Sequence, residues 1–396
     1  MAGILEGLKV VDMGVAIAMP AAAAMMADWG ADVTKIEPVF GEGQPGRDDA
    51  YVYNAIIHNR NKKSLAIDLK QPAGIQLLHK FVAKADVFLS NYEVSTLKKL
   101  KADYATLSQI NPGLIYCVLT AYGTAGPDKD NRGYDFSAAW ARAGAQYQIG
   151  EPGTIPAMNL NGFMDRVTAA HAAAGILGAL LHREKTGEGQ ELELSLYHVG
   201  VWTLAGDIQA ALMGIVAPKF ERGKTGMGGN PLWNSYRAKD GGWFQLATQG
   251  GLFWADFCRG IGRPDLENDP RFSGGMAALR QNHEELIRIL DEVFAAKTMD
   301  EWEKRFREHN IIYGRVVTPL EVTTDPQAVA NGFFAEVDDP TRGKIKLVTM
   351  PIKFHQNPAS VRTSAPEKGQ DTEETLLDLG YSWEDIGQLK EQGVVL

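Results

Sequence analysis

The first forty residues read as a strand, a helix and a second strand. Residues 8–12 form a short, mostly apolar run, residues 18–29 are rich in Ala and Met, and residues 33–38 form a second extended run stopped by proline. In a strand–helix–strand unit of one sheet the two strands are parallel and the crossover is right-handed. This opening therefore predicts an α/β fold built around a parallel sheet.

The same alternation continues downstream, but without the signature of a dinucleotide site. Further strands are predicted at 64–69, 86–90 and 114–119, with a helix at 72–84. The first turn, residues 14–20, lacks the G-x-G-x-x-G pattern that brings a helix N-terminus close to a pyrophosphate. We therefore expect a Rossmann-like architecture whose ligand is not NAD.

The second half of the chain changes character. Gly, Lys and Arg dominate residues 218–231. Predicted helices follow at 252–260, 282–296 and 299–309, and the last two carry many charges. Near the C-terminus short strands and amphipathic helices resume. We predict a large domain from residues 1–217 and 319–396, a linker at 218–225 and a small α/β domain at 226–318.

One segment of the predicted large domain is unusually apolar. Residues 197–213 carry few charges. The segment is long enough for a buried helix, and Trp202 within it is expected to be a core residue rather than a ligand contact.

Charge and cysteine content exclude several classes of protein. The 396 residues carry a formal net charge of −9, so there is no basic excess to neutralise nucleic-acid phosphates. The two cysteines, Cys117 and Cys258, lie far apart and form no C-x-x-C pair, which fits a reducing cytoplasm. No apolar run is long enough to span a membrane, and no metal-binding motif such as H-E-x-x-H is present.

A single carboxylate precedes the most Ala- and Gly-rich segment of the chain. Residues 159–181 read N-L-N-G-F-M-D-R-V-T-A-A-H-A-A-A-G-I-L-G-A-L-L, in which Asp165 opens a predicted helix of small residues. Such a helix can pack closely against a neighbouring backbone. Asp165 is either an N-cap, for which Asp is favoured, or a reactive acid whose charged form the helix dipole stabilises.

Four polar segments are candidates for binding an anionic ligand. Arg and Lys make charge-assisted bonds to phosphates, although a cationic loop is as often merely solvated. The segments contain Asn61, Lys62 and Lys63; Asn91, Tyr92 and Lys99; Tyr122 and Tyr134 beyond a strand end; and a glycine loop with Gly228 and Gly229.

These motifs together resemble the class III CoA-transferases, which include formyl-CoA, crotonobetainyl-CoA and aryllactate CoA-transferases. The resemblance spans nearly the whole chain in the family's order. The markers are L-x-G-L-K-V-V-D, A-D-W-G-A-D-V-T-K-I-E-P, N-R-N-K-K-S-L-A-I-D-L-K, N-P-G-L-I-Y, Y-G-x-x-G-P, G-Y-D, Asp165, T-G-E-G-Q-E-L-E-L-S-L and E-E-T-L-L-D-L-G-Y. The resemblance implies a Rossmann-like large domain from both chain ends, a smaller α/β middle domain, and an interlocked homodimer.

The resemblance also implies roles for individual residues. Asp165 matches the family's nucleophilic aspartate, Ala18 and Lys99 fall where the family contacts CoA, and the segment around Lys62 matches the one that holds the CoA nucleotide. Gly228 and Gly229 fall in the glycine loop over the aspartyl intermediate. Coenzyme A would be substrate and product, and no metal is implied.

The implied reaction moves CoA from an acyl-CoA to a small carboxylic acid through an aspartyl anhydride and an aspartyl-CoA thioester. Ile17 stands where formyl-CoA transferase has a glutamine, which argues against oxalate and formate. Trp140, Tyr147, Trp233 and Trp243 are each either core residues or the lining of an apolar acyl pocket. The expected acceptor acid is apolar, aromatic or branched.

Two other functions remain open from the sequence. A 2-methylacyl-CoA racemase would share the fold, but Tyr134 stands where that group has a histidine base, and tyrosine is a poor base at neutral pH. A non-catalytic CoA-binding subunit of a heteromer would not need Asp165 and the glycine loop, both of which are present.

Overall fold

The computed structural model describes residues 3–39, 52–216, 219, 221–223, 229–248 and 253–396. The chain forms two compact units. The first comprises Met1–Gly144, Met158–Leu204 and Pro326–Leu396, and the second comprises Ala145–Ala157 and Ala205–Asp325.

The strands are β1 (Lys9–Met13), β2 (Asp32–Glu37), β3 (Lys63–Ala66), β4 (Val87–Ser90), β5 (Ile115–Thr120), β6 (Gln190–Ser195), β7 (Ser235–Arg237), β8 (Trp243–Leu246), β9 (Tyr313–Arg315), β10 (Phe334–Asp339) and β11 (Gly343–Val348). The α-helices are α1 (Ala18–Asp28), α2 (Val52–Asn59), α3 (Pro72–Val82), α4 (Val94–Lys99), α5 (Tyr104–Ile110), α6 (Ala145–Gln148), α7 (Phe163–Thr186), α8 (Leu196–Thr203), α9 (Ala205–Leu212), α10 (Trp254–Ile261), α11 (Gly275–Gln281), α12 (His283–Phe294), α13 (Met299–Glu308), α14 (Pro319–Val322), α15 (Pro326–Ala330), α16 (Thr372–Asp378) and α17 (Trp383–Glu391). A π-helix (Asp135–Arg142) precedes α6.

A parallel six-stranded sheet organises the first unit, as the β-α-β opening predicts. Its strand order is β3-β2-β1-β4-β5-β6, and every neighbouring pair is parallel. β1 lies between β2 and β4, with Val10 paired to Val33 on one side and Val87 on the other. The order in which strands are added changes between β1 and β4: β2 and β3 lie on one side of β1, and β4 to β6 lie on the other. Open α/β sheets bind ligands beyond the carboxyl ends of the two strands at such a point.

Alanines bring α1 and α7 close together on one face of the sheet. Ala21–Ala24 are all buried in α1, and Ala169, Ala172, Ala173 and Ala179 are buried in α7. Small side chains permit this approach between helices, which confirms the close packing expected for α7. A Cβ added at Gly178 would have no neighbour within 4 Å, so only some of the small residues of α7 are in close contact with a neighbouring element.

Another apolar core joins the sheet to the helices α3, α5, α16 and α17. Leu77 and Leu78 of α3, Leu107 of α5, and Leu376 and Ile386 near the C-terminus belong to one buried cluster with strand residues. The C-terminal helices α16 and α17 therefore complete the same unit that the N-terminus begins.

The expectation of one buried helix over residues 197–213 is wrong. The segment forms α8 and α9, α9 has no buried residue, and Trp202 is 64% exposed. Apolar composition alone cannot separate a buried helix from one whose apolar side chains face outward.

The second unit is a small α/β assembly with an aromatic core. β7, β8 and β9 form an antiparallel sheet in that order. Phe244, Phe294, Trp302 and Phe306 pack in a buried cluster beneath it. The charged helices predicted near 282–296 and 299–309 are confirmed as α12 and α13. No helix in the described part of the chain is long and apolar enough to cross a membrane.

Candidate active site

The polypeptide enters α7 through a left-handed glycine. Gly162 is the N-cap with φ of +65°, and Phe163 is the first helical residue. Asp165 is therefore the third residue of the helix, and the interpretation of Asp165 as the N-cap is wrong. The position still lies in the first turn, at the positive end of the helix dipole.

A second carboxylate lies beside Asp165. Asp135 begins the π-helix and is only 2% exposed. Asn159 Nδ2 donates to Asp135 Oδ2 at 2.7 Å, and the backbone N–H groups of Phe136, Met164 and Asp165 lie near enough to lower the pKa of Asp135. The Asp135 carboxylate thus lies near the free N–H groups at the α7 N-terminus, which the N-cap glycine has no side chain to satisfy.

Asp165 occupies a less favourable environment for charge than Asp135. Burial raises the pKa of Asp165 to about 7, the Asp135 carboxylate adds to the rise, and Arg166 opposes it. Burial also raises the pKa of Asp135, but the hydrogen bond from Asn159 and the nearby backbone N–H groups oppose that rise. The dipole argument alone predicted an easily ionised Asp165, and burial with the like charge outweighs the dipole.

Arg166 connects the start of α7 to α2. Its guanidinium donates to the Asn161 carbonyl oxygen at 2.8 Å and to Asn54 Oδ1 at 3.3 Å. Burial lowers the pKa of the neighbouring His58 to about 3, and the Arg166 charge adds to this effect. His58 is therefore a neutral residue at physiological pH, and Arg166 is the cation that acts on Asp165.

The first β–α turn packs against the same helix entry. A Cβ added at Gly162 would lie 2.5 Å from Ile17 Cδ1, so these two residues are in close contact. Asn91 fixes the turn from the adjacent strand end, because Val15 N–H donates to Asn91 Oδ1 and Asn91 Nδ2 donates to the Val15 carbonyl oxygen. This pair of bonds bridges β1 and β4 where the sheet reverses direction.

The Lys62 side chain lies inside the protein. Its ammonium donates to Asp12 Oδ2 at 2.7 Å, the Pro20 carbonyl at 2.8 Å and Asn59 Oδ1 at 3.1 Å. An ammonium has three N–H donors, so direct contact with a phosphate would require one of these bonds to break. Burial lowers the pKa of Lys62 to about 8, and Asp12 opposes that shift.

The flanking residues of that segment are also engaged internally. Asn61 has φ of +61°, and its side chain bonds to Asp28 and to the backbone of Ser360, Arg362 and Thr363. Lys63 lies near Asp32, Glu374 and Asp378 at 3.4–3.9 Å. The segment around Lys62 thus joins the two ends of the chain.

The remaining predicted ligand residues differ in exposure. Ala18 is the buried first residue of α1, Tyr92 packs against the main core, and Lys99 at the end of α4 is exposed. Tyr122 lies beneath the Arg142 guanidinium, whose carbon is 4.9 Å from the ring centroid. Tyr134 is 76% exposed and caps the π-helix that carries Asp135.

The glycine loop and the aromatic candidates complete the predicted set. Gly228 lies outside the described residues, and Gly229 belongs to the second compact unit. Trp140 is buried, as expected of a core residue, whereas Tyr147, Trp233 and Trp243 are exposed. No group of three or more His, Cys, Asp or Glu side chains in the described ranges is arranged to hold a metal ion.

Asp135 and Asn159 are not among the site residues predicted from the sequence. Asp135 appears there only as the last letter of G-Y-D, and Asn159 only as the start of the segment before α7. Their contact spans 24 positions of the chain, and no local periodicity reports such a pairing.

Comparison with known proteins accords with this geometry. The model of CoA-transferase family III matches residues 5–372. The chain is 34% identical to (R)-2-hydroxy-4-methylpentanoate CoA-transferase of Clostridioides difficile, over 99% of each chain. It is 32% identical to cinnamoyl-CoA:phenyllactate CoA-transferase of Clostridium sporogenes, over 98% of this chain and 96% of the relative.

A solved structure shares the fold over most of the chain. A CAIB/BAIF family protein from Brucella suis superposes with a TM-score of 0.83 at 26% identity, covering 96% of this chain and 100% of the other. The parallel sheet, the match to the family over nearly the whole chain and the full-length relatives agree. The chain belongs to CoA-transferase family III and is an enzyme that transfers coenzyme A.

Proposed function

We propose that Asp165 is the nucleophile of this transfer. The ionised carboxylate attacks the donor thioester carbonyl, so that an anhydride forms and the CoA thiolate leaves. The thiolate then attacks the aspartyl carbonyl, which gives an aspartyl-CoA thioester and releases the donor acid. The acceptor carboxylate attacks this thioester, so that a second anhydride forms and the CoA thiolate leaves again. The thiolate then attacks the acceptor acyl carbonyl of the anhydride, which gives the new acyl-CoA and releases the Asp165 carboxylate.

The observation that carries this proposal is the environment of the Asp165 carboxylate. Its pKa near 7, raised by burial and Asp135, makes it a more basic and more nucleophilic oxygen than an ordinary carboxylate. No hydrogen bond from the described residues reaches that carboxylate. Backbone N–H groups of the loop with Gly228 and Gly229 are proposed to stabilise the oxyanions.

We propose that CoA binds across the carboxyl ends of β1 and β4. Lys99 and Tyr134 are exposed on segments beyond the sheet and are available to contact it. Ala18, Asn91, Tyr92 and Tyr122 supply backbone and apolar contacts. Asn61 and Lys62 support this surface from within through their bonds to the buried Asp28 and Asp12, and Lys63 lies near Asp32 at 3.9 Å.

An apolar acyl group is the proposed acceptor and donor class. Large apolar side chains are exposed immediately before Asp165, including Met158 at 72% and Leu160 at 73%. Phe163 is also exposed and packs edge-on against Trp140. The names of the two relatives include a branched and an aromatic acid, which agrees with this class.

We further propose an interlocked homodimer with a large domain from 1–217 and 319–396 and a small domain from 226–318. Trp202, Leu212 and Leu320 are large, exposed apolar residues. Apolar surface of this kind marks protein interfaces. Cys117 and Cys258 are free and buried, which supports a reducing compartment such as the cytoplasm.

The decisive assay compares Asp165→Ala with Asp130→Asn, which removes an exposed acid of the same charge. We expect Asp165→Ala to lose activity by about 10³-fold or more while it still binds CoA in calorimetry. The Asp130 variant is expected to keep its activity. Full turnover by Asp165→Ala would remove the proposal. Activity confined to oxalate in a screen of acceptor acids would remove the apolar substrate class.

A further inference from the structure

Arg166 is a cation at a place where a helix disfavours one. It is exposed and is the fourth residue of α7, directly after Asp165. A positive side chain near the N-terminus of a helix lies at the positive end of the helix dipole, which is unfavourable. The chain therefore holds a positive charge next to the proposed nucleophile at some cost to the helix.

The Arg166 guanidinium reaches back past the N-terminal end of α7. Nη1 donates to the carbonyl oxygen of Asn161, which precedes the helix, at 2.8 Å, and Nη2 donates to Asn54 Oδ1 of α2 at 3.3 Å. A Cβ added at Gly162 would lie 3.3 Å from Arg166 Nη1 and 2.5 Å from Ile17 Cδ1. The guanidinium therefore lies where the turn after β1 meets the start of α7.

The side chain of Asp165 is directed toward the same end of the helix. In an α-helix every Cα–Cβ bond tilts toward the N-terminus, and Asp165 immediately precedes Arg166. The proposed nucleophile and the guanidinium thus both face the region beyond the start of α7. The turn after β1 borders that region, and open α/β sheets bind ligands beyond such strand ends.

Arg166 keeps hydrogen-bond donors for a ligand. A guanidinium has five N–H donors, and its two bonds to described residues engage two of them. Two other cations at the end of α2 are engaged internally: Lys62 donates to three oxygens, and Arg60 pairs with the buried Asp28 at 2.6 Å. His58 is neutral, because burial lowers its pKa to about 3. Of these four basic side chains, Arg166 is the one placed to receive an anion.

We propose that Arg166 binds the carboxylate of the acceptor acid and presents it to the thioester on Asp165. This inference rests on the proposed role of Asp165 as the nucleophile. One carboxylate oxygen accepts hydrogen bonds from Arg166, and the other attacks the aspartyl carbonyl carbon. The new C–O bond of the anhydride forms, the C–S bond breaks, and its electron pair leaves on the CoA sulfur.

This role is confined to the half of the reaction that uses the acid. The attack of Asp165 on acyl-CoA involves no free acid, so it does not need the carboxylate-binding group. A neutral nucleophile that attacks the aspartyl thioester has no carboxylate to be held. Loss of Arg166 should therefore slow acids selectively.

The test is Arg166→Gln, which removes the charge and keeps a polar side chain. Enzyme is incubated with 4-methylpentanoyl-CoA at about pH 8.5, where Asp165, with its pKa of about 7, is ionised, and is then desalted. Intact mass follows the CoA adduct. We expect the adduct to form at about the wild-type rate and its discharge by 4-methylpentanoate or 3-phenylpropanoate to slow about tenfold or more. Discharge by hydroxylamine, a neutral nucleophile, should keep the wild-type rate.

Two further variants serve as controls. Arg166→Lys keeps the charge and should retain part of the discharge by acids. Arg307→Gln removes an exposed arginine of α13 and should leave every rate unchanged. If Arg166→Gln does not fold, Asn54→Ala replaces it, since it removes one anchor of the guanidinium and should also slow acids relative to hydroxylamine.

The inference is overturned if acids discharge the variant adduct at the wild-type rate. Equal slowing with acids and with hydroxylamine would show that Arg166 has a structural role only, and a wild-type adduct that neither acid discharges would also overturn the inference. A wild-type adduct on a residue other than Asp165 would instead overturn the nucleophile assignment, so the two failures are distinguishable.

Discussion

Ile17 and Gly162 touch where the first β–α turn meets the start of α7. A Cβ at position 162 would lie 2.5 Å from Ile17 Cδ1, and the backbone at Gly162 has φ of +65°. The turn that follows β1 and the helix that carries Asp165 are therefore fitted to each other through a residue without a side chain. Changes at either residue should be transmitted to the site.

Gly162→Ala is expected to destabilise the protein and to lower its activity. The left-handed backbone disfavours alanine by about 1–2 kcal/mol, and overpacking against Ile17 adds about 1–3 kcal/mol. Chemical denaturation and steady-state kinetics measure both effects.

The matched control is Gly187→Ala at the other end of α7. Gly187 has φ of +78°, and an added Cβ there has no neighbour within 4 Å. We expect only the backbone cost and normal activity. The Ile17→Val change, which removes Cδ1, should restore part of the stability of Gly162→Ala; no restoration would mean that the contact is not the cause.

The rate of transfer should fall below neutral pH. Attack on the thioester needs ionised Asp165, and burial with the Asp135 charge raises the pKa of that group to about 7. We expect log kcat/KM to decline by about one per pH unit below that value. A profile that stays flat down to pH 5, with a donor whose own ionisation is constant, would contradict the assignment.

Asp165→Asn should stabilise the folded protein at pH 8. The raised pKa means that the folded chain binds the proton more tightly than the unfolded chain, so stability from this group is present below the unfolded pKa of 3.8 and is lost as pH rises through about 7. The neutral amide avoids that loss, and we expect a gain of about 1–3 kcal/mol in the free energy of unfolding.

The comparison at acid pH is the internal control. Near pH 4 Asp165 is protonated in the folded enzyme, so the amide should offer little advantage there. An equal gain at both pH values would show that packing, rather than charge, explains the difference.

Replacement by methionine should lower folding stability at Lys62 and weaken CoA binding at Lys99. Lys62→Met leaves Asp12 buried and short of its closest cation, at 2.7 Å, which should cost about 3–5 kcal/mol of folding stability. Lys99 is exposed, so Lys99→Met should leave the melting temperature unchanged and weaken CoA binding, in a manner that depends on salt.

Calorimetric titration of CoA at two salt concentrations separates these outcomes. A stable Lys62→Met protein with weakened CoA binding would mean that Lys62 releases its internal bonds to hold a phosphate. Unaltered binding by Lys99→Met would remove Lys99 from the proposed site.

The homodimer prediction is tested by the mass of the particle in solution. Sedimentation of the purified chain should give twice its mass of 43.2 kDa. A stable monomer, or a requirement for a second kind of chain for activity, would contradict it.

The parallel sheet could be predicted from the sequence because local residue patterns determine its strands and helices. Apolar runs, prolines and Ala-rich segments mark the strands and helices, and the right-handed crossover rule supplies their parallel arrangement. The prediction of one buried helix for the segment that forms α8 and α9 was wrong because apolar residues of this segment, such as Trp202, face outward. Composition does not record which surface an apolar side chain faces.

Only some of the polar residues of the site could be predicted from the sequence. Asp165 stood out because it precedes a segment of small residues, but its pKa depends on Asp135, thirty positions earlier in the chain. Lys62 looked like a surface cation because nothing local shows that Asp12 and the Pro20 carbonyl surround its ammonium. Side-chain chemistry of this kind is set by tertiary contacts.

The most direct measurement is peptide mass mapping of enzyme incubated with an acyl-CoA donor and trapped before the acceptor acid is added. We predict an adduct on Asp165, either the CoA thioester or its hydroxylamine product, and none in Asp165→Ala. An adduct on a different residue, or turnover by the wild-type enzyme with no adduct at any residue, would contradict the account.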